Sequence, residues 1–257
     1  MTTDRQAKIL QYLAEHDALE VNQLSARLEV SPSTVRRELR ALQESGLLVR
    51  THGAARRPAP LLYEPPFERR AAQQVAAKRK IAAAARRLIE PGAVVGLGGG
   101  STCTELARQL RAVDNITVVT NAVNIALELQ GQSARRVVLT GGLLTPSSYE
   151  MVGSLVATSL QYVHLNLVFV GVSGVDLGFG FSVSDEPEAV AGRAFMAAAD
   201  RTIVIADHTK IGQATFARLC GLRDVHMLIT DDGLTPEQRT ALEQAGLQVL
   251  VAGPIAA

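Results

Sequence analysis

Residues 30–54 read VSPSTVRRELRALQESGLLVRTHGA, and this stretch decides the architecture of the N-terminal region. Ser31 followed by Pro32 supplies an N-cap hydroxyl and a first-turn residue with a preset φ, so a helix is predicted to begin there. Val35, Leu39 and Leu42 recur at helical spacing and form its inward face. Ser45-Gly46 ends the helix, Leu47 to Thr51 alternates as a strand, and His52-Gly53 turns the chain back. Upstream, Ile9, Leu10 and Leu13, then Leu24 and Leu28, mark two further helices. Three helices and a ribbon make a winged helix-turn-helix over residues 1–57.

With Val35 and Leu39 turned inward, the opposite face of the third helix carries short polar and basic side chains on its first turns. Such side chains reach base edges and flanking phosphates in a major groove. Ser31, Ser33, Thr34, Arg36 and Arg37 are the candidate DNA contacts on the helix, with Arg50 and His52 on the wing. The whole chain has a net charge of only +1, but six arginines stand against two glutamates between Ser31 and Arg57. That local excess suits a phosphate backbone. A solvated basic face, or a winged fold used only for protein contact, is the alternative reading of the same residues.

This stretch resembles the recognition helix and wing of the DeoR family of bacterial transcriptional regulators. Arg5, Ile9 and Leu13 upstream, then Ser31, Thr34, Val35, Arg36, Arg37 and Leu39, occupy the family's pattern together. Glu38 stands where the family usually has Asp, and Ala54 where it has a second Gly.

Beyond residue 57 the composition changes. Four prolines fall between Pro58 and Pro66, and residues 58–70 are expected to be a linker. An Ala-rich run predicts one long helix from about Glu68 to Ile89, stopped by Pro91-Gly92. Apolar runs then alternate with helical patterns. Strands are expected at Ala93 to Leu97, Ile116 to Thr120, Arg136 to Thr140, Leu167 to Gly171, Thr202 to Ala206, Val225 to Ile229 and Gln248 to Val251. Hydrophobic residues make up 47% of the chain and Trp is absent, so its core is aliphatic, as in a parallel sheet covered on both faces. The fold class is α/β: an N-terminal winged helix-turn-helix, then a larger α/β domain over residues 71–257 with a mostly parallel sheet.

The strand ending at Leu97 runs into Gly98-Gly99-Gly100-Ser101-Thr102 and directly into a helix. Glycines allow the tight turn, bare amides point at an anion, and Ser101 and Thr102 add hydroxyl donors at the positive helix end. The run lacks both the Walker and the dinucleotide-binding patterns, and as an isolated motif it is as readily a plain turn. Other strand ends converge on a common crevice in an open parallel sheet. They add Thr120 and Asn121, Gly141 and Gly142, Gly171 and Asp176, and Asp207 with Lys210 as candidate effector contacts. Taken alone, Lys210 is better explained as a surface lysine after a strand, and Glu188, a candidate contact for sugar hydroxyls, is equally explained as a helix N-terminal carboxylate.

The segments GGGST, VVTN, TGG, GVSGVD and ADHTK are similar to the sensor domain of the DeoR family, which resembles ribose 5-phosphate isomerase in fold. The resemblance implies a repressor of carbohydrate catabolism that releases a double-stranded DNA operator when a phosphorylated sugar binds. A sugar-phosphate isomerase is the main rival. Its chemistry needs carboxylates in the segment corresponding to Val170 to Asp176, where only Asp176 remains, and no Lys occurs between Lys80 and Lys210. No enzyme activity is therefore expected.

Cys103 and Cys220 lie far apart without metal-ligand spacing, so no metal and no cofactor are expected, and a reducing, cytoplasmic setting fits them. The first residues, Asp4, Arg5 and Lys8 among them, lack a secretory core. The uncharged run from Met151 to Val175 reads as helix, turn and buried strand, and no membrane partner is expected. A homo-oligomer is expected, because paired winged helices read two half-sites.

Overall fold

A computed structural model of the protein describes residues 4–15, 18–44, 48–51, 54–56, 65–131 and 135–253. The chain divides into two compact units, Met1–Pro66 and Phe67–Ala257.

The first unit contains α1 (Asp4–Glu15), β1 (Ala18–Glu20), α2 (Val21–Leu28), α3 (Pro32–Glu44), β2 (Val49–Thr51) and β3 (Ala54–Arg56). Ile9, Leu13, Leu24, Val35, Leu39, Leu42 and Leu48 are buried together and hold the three helices to the strands. The helix-to-helix turn has a local cause. Glu29 adopts a left-handed conformation (φ 53°), and the Val30 amide donates to Ser25 O at 3.2 Å, ending α2 before Ser31 starts α3. The wing is an antiparallel sheet in the order β1-β3-β2, with Ala55 paired to both Leu19 and Arg50. β1 was not anticipated. The expected helix stop at Ser45-Gly46 and turn at His52-Gly53 lie outside the described residues.

The second unit begins with α4 (Phe67–Ala72) and α5 (Val75–Arg86), followed by β4 (Val94–Leu97), α6 (Ser101–Leu110), β5 (Thr117–Thr120), α7 (Val123–Leu129) and β6 (Arg136–Leu139). A hairpin, β7 (Leu143–Thr145) and β8 (Glu150–Val152), leads to α8 (Ser154–Leu160) and β9 (Leu167–Gly171). Then come β10 (Gly174–Asp176), β11 (Gly180–Val183), α9 (Glu186–Ala197), β12 (Thr202–Ile205), β13 (Ala217–Cys220), β14 (Met227–Asp231), α10 (Pro236–Gln244) and β15 (Val249–Ala252).

Seven strands form one parallel sheet in the order β15-β14-β12-β9-β4-β5-β6. They are the seven expected apolar runs, displaced by two residues at most. One face is sealed by Ile81, Leu106 and Ile125 from α5, α6 and α7. The other is sealed by Val156, Phe195 and Leu242 from α8, α9 and α10. The chain winds from β4 to one side through β5 and β6, and to the other through β9, β12, β14 and β15. The order therefore reverses between β4 and β9, the place where an open α/β sheet opens a ligand crevice.

Two expectations need correction. The single helix from Glu68 to Ile89 is two helices, because Gln74 is left-handed (φ 51°) and breaks the ladder after α4. Residues 67–70 of the expected linker belong to α4, whose Phe67 ring meets Tyr149 edge-on at 5.3 Å while its amide bonds Ser147 O at 3.0 Å. Among the described residues, no helix is long and apolar enough to cross a membrane, and no cluster of His, Cys, Asp and Glu has the makings of a metal site.

Candidate DNA-reading surface and effector cleft

Ser31 caps α3. Its Oγ accepts from the Thr34 amide at 3.3 Å and lies 2.8 Å from Ser33 Oγ and 2.9 Å from Thr34 Oγ1. This ties the three hydroxyls into one cluster at the positive helix end. Arg36, Arg37 and Arg40 are exposed after the cap, while Val35 and Leu39 beside them are fully buried. Glu38 shares the helix but faces inward, accepting from Arg5 Nη1 at 3.1 Å and Gln6 Nε2 at 2.9 Å. It fastens α1 to α3 and leaves the neighbouring arginines turned outward. Arg50 lies on β2 of the wing, and His52 lies outside the described residues.

In the second unit a cleft of about 580 Å³, its open mouth included, lies at the C-terminal ends of β4, β9 and β12. Its floor is the junction between β4 and α6. Gly98 N still donates to Phe169 O at 3.0 Å, extending the sheet, and Gly100 (φ 96°) turns the chain into α6. A Cβ at Gly99 would lie 2.0 Å from the Glu150 side chain, which would have to move to admit it. The first-turn amides of α6 have no intrahelical partners, and Ser101 and Thr102 flank them at the cleft.

Three cationic side chains line the same cleft, Arg70 from α4, Lys78 from α5 and Lys210 after β12. Lys78 is buried, and its ammonium donates to Gln73 O at 2.6 Å and to Arg70 O. It thereby bonds two carbonyls at the helix break, one of which, Arg70 O, also accepts from the Gln73 amide at 3.2 Å. Burial pushes its pKa down to about 8 from the usual 10.5; Asp207 and Glu105 oppose that shift, while Lys210 and Arg70 add to it. Asp207 is buried and caps a short 3₁₀ turn, His208–Lys210, accepting from the Thr209 amide at 3.1 Å and from the Thr209 hydroxyl. That turn aims Lys210 into the cleft. Glu188 enters from the first turn of α9, whose N-cap Asp185 accepts from the Glu188 amide at 2.8 Å.

Of the residues expected to contact an effector, Gly99, Gly100, Ser101, Thr102, Gly171, Asp207 and Lys210 line this cleft. Gly98 and Asn121 line a smaller chamber behind it. Four lie elsewhere. Thr120 is buried, with its Oγ1 accepting from the Ala122 amide at 3.1 Å. Gly141 and Gly142 follow β6, the edge strand two places from β4, and Gly142 packs on Met151 and Val152 of the hairpin. Asp176 caps the turn after β10, accepting from the amides of Gly178 and Phe179 at 2.9 and 2.7 Å. Lys78, Arg70 and Glu150 were not anticipated. For Lys78 a signal was present: it stands three, four and seven residues before Ile81, Ala82 and Ala85, a charge on the buried stripe of its helix.

Residues 73–232 match the DeoR C terminal sensor domain, and residues 5–60 match the DeoR-like helix-turn-helix domain. The chain belongs to the DeoR family. DeoR-family relatives match over nearly its full length. A putative aga operon transcriptional repressor of Escherichia coli O157:H7 is 33% identical, over 98% of this chain and 94% of its own. The transcriptional repressor AccR of Agrobacterium fabrum is 29% identical, over 98% of each chain. Among solved structures, ribose 5 phosphate isomerase A from Neisseria gonorrhoeae aligns over 52% of each chain at 17% identity with a TM-score of 0.39. Membership of the DeoR family makes this chain a DNA-binding transcriptional regulator with a sensor domain for a small-molecule effector, and the isomerase alternative falls with it.

Proposed function

We propose that the chain represses a carbohydrate catabolic operon and that a phosphorylated sugar in the cleft releases it from the operator. One observation carries the choice of ligand: the bare amides and hydroxyls at the start of α6 face the same space as Lys78, Arg70 and Lys210. Amides at a positive helix end together with cations suit a phosphate, and Glu188 and Asp207 beside them suit sugar hydroxyls. The ammonium of Lys78 spans the cleft and the carbonyls that end α4, the first helix after Pro66. An anion that draws on this ammonium changes how α4 is held, which gives the effector a differential grip on two arrangements of the chain.

On the DNA side, the exposed Arg36 and Arg37 behind the hydroxyl-capped start of α3 support insertion of that helix into a major groove. Two half-sites imply at least a homodimer. The edge strand β6 and the hairpin after it support an apolar contact between copies. Val138, Leu139, Leu143 and Leu144 are exposed there, and no charged residue occurs from 137 to 149. An edge so free of charge is unusual for a monomer. The reading also places the protein in the cytoplasm, with operator DNA.

The test is a gel-shift titration on the chain's own upstream DNA, with ribose 5-phosphate, glucose 6-phosphate, fructose 6-phosphate and galactose 6-phosphate added in turn. At least one is expected to weaken binding about tenfold, a coupling of about 1.4 kcal/mol. Binding that no phosphate ester alters, while the DNA complex forms normally, refutes the effector reading.

A further inference from the structure

The cleft at the start of α6 spans about 580 Å³ with its mouth included, yet leaves only about 60 Å³ open to the centre of a water molecule. That is room for about four waters or for a phosphate group, but not for a whole sugar phosphate, which carries roughly three times as many atoms as phosphate itself. The walls differ in how firmly they are built. Gly99 to Thr102, Gly171 to Ser173 and Asp207 to Lys210 follow β4, β9 and β12 and are anchored to the parallel sheet. Arg70, Gln73 and Gln74, by contrast, belong to α4 and to the break after it. Of the α4 side chains only Phe67 is buried. A six-residue helix with one buried side chain has little to hold it beyond its few ties to neighbours.

Those ties sit at its two ends. At the start, the Phe67 amide donates to Ser147 O at 3.0 Å, the Phe67 ring meets Tyr149 edge-on, and the Tyr149 hydroxyl donates to the Glu68 carboxylate. All three run to the loop that joins β7 to β8. At the far end, the Lys78 ammonium bonds Arg70 O and Gln73 O, and Gln74, left-handed at φ 51°, bends the chain into α5. A non-glycine residue in that region of φ is uncommon and marks a place where the chain changes direction.

We propose that α4 is a strap across the effector cleft, hinged at Gln73 and Gln74 and latched to the β7–β8 loop by Phe67 and Glu68, and that a sugar phosphate binds only with the strap displaced. The proposal rests on the phosphate reading of the cleft and supplies its coupling step. Phosphate itself fits beneath the closed strap; the sugar attached to it does not. Because α4 begins directly after Pro66, where the N-terminal unit ends, moving the strap moves the point from which that unit is tethered. A closed strap lowers the apparent affinity for the effector in proportion to the fraction of molecules that stand open. Weakening the latch therefore tightens effector binding, whereas loss of a residue that merely supports the site weakens it.

Hydrogen exchange of the full wild-type chain, read by mass spectrometry, tests this with no ligand and with saturating inorganic phosphate, ribose 5-phosphate or glucose 6-phosphate. Exchange over residues 67–73 should quicken by about threefold or more with the tighter ester, and by clearly less with inorganic phosphate. Calorimetric titration of Tyr149→Phe, which removes the hydroxyl and keeps the ring, should show that ester bound about two- to fivefold more tightly than by the wild type, with inorganic phosphate unchanged. Unchanged or slower exchange over 67–73 with a bound ester overturns the proposal whether or not the variant folds, as does equal quickening by phosphate and ester. A folded Tyr149→Phe that binds the ester no more tightly than the wild type overturns it too. A sugar that simply protrudes through the mouth of the cleft would leave both readouts unmoved. If neither ester binds, the phosphate reading itself fails and this inference falls with it.

Discussion

Raising the pH should weaken effector binding through one side chain, Lys78. Its ammonium is held by Gln73 O and Arg70 O inside the cleft, with a pKa pushed down to about 8. A bound phosphate dianion favours the charged form and returns the pKa towards the ordinary lysine value, so binding above pH 8 is accompanied by proton uptake. Affinity is then proportional to the fraction of Lys78 already protonated in the free protein. That fraction falls from about nine-tenths at pH 7 to about one-thirtieth at pH 9.5, so affinity should drop roughly 30-fold, about 2 kcal/mol. Phosphate esters are dianionic throughout this range and contribute no slope of their own. In the unliganded protein the sign is opposite. The folded state binds fewer protons than the unfolded state between pH 8 and 10.5, so the Lys78 contribution to stability rises with pH across that window. Calorimetric titration from pH 7 to 9.5 with the tightest sugar phosphate measures the profile, and Lys78→Met should bind weakly and without this slope. A flat profile in the wild type, or the same slope in Lys78→Met, refutes the assignment of Lys78 to the anion.

Three further outcomes are expected. Glu38→Ala removes the acceptor shared by Arg5 and Gln6 and should cost the N-terminal unit about 2 kcal/mol, the Arg5 contact discounted for its exposure. Calorimetry of the full chain should show the transition of that unit lowered by roughly 10 °C and the sensor transition unmoved. Gly99→Ala forces a Cβ into the Glu150 side chain and should abolish the thermal shift given by sugar phosphates while operator binding without effector persists. Leu143→Asp places a charge at a strongly exposed position of the β7 hairpin and should leave thermal stability unchanged but shift the oligomer towards monomer in sedimentation velocity.

Much of this was legible before any coordinates, for reasons specific to each element. The inner strands of the sheet are buried on both faces, so they stand out as apolar runs such as LVFVG and TIVI between polar segments, and the edge strand β6 was legible from its apolar run although much of it is exposed. The Ser31-Pro32 start of α3 and the glycine turn into α6 are local signals, set by capping and by φ, and they survive in the fold. The short strands β7, β8, β10, β11 and β13 left no comparable trace, because three- and four-residue pieces are defined by their partners rather than by a period. The break between α4 and α5 was equally silent. Gln73 and Gln74 are good helix formers, and the interruption depends on tertiary contacts, Lys78 on the carbonyls at the break and Phe67 on Tyr149. Gly141, Gly142 and Asp176 were placed in the crevice by the rule that strand ends converge. That rule holds near the reversal between β4 and β9 but not at β6, two strands away, nor at β10, outside the parallel sheet. Glu150 could not have been found from sequence, since it reaches Gly99 only through the hairpin's pairing beside Asn121.

The most direct test of effector-controlled DNA binding is fluorescence anisotropy of labelled upstream DNA, with wild-type protein and with Arg36→Ala and Arg37→Ala, at several salt concentrations with and without the tightest sugar phosphate. Each arginine variant should bind more weakly, with the salt slope reduced by about one per lost phosphate contact, and the ester should weaken wild-type binding about tenfold. Unchanged affinity and slope in both variants, together with no response to the ester, would contradict it.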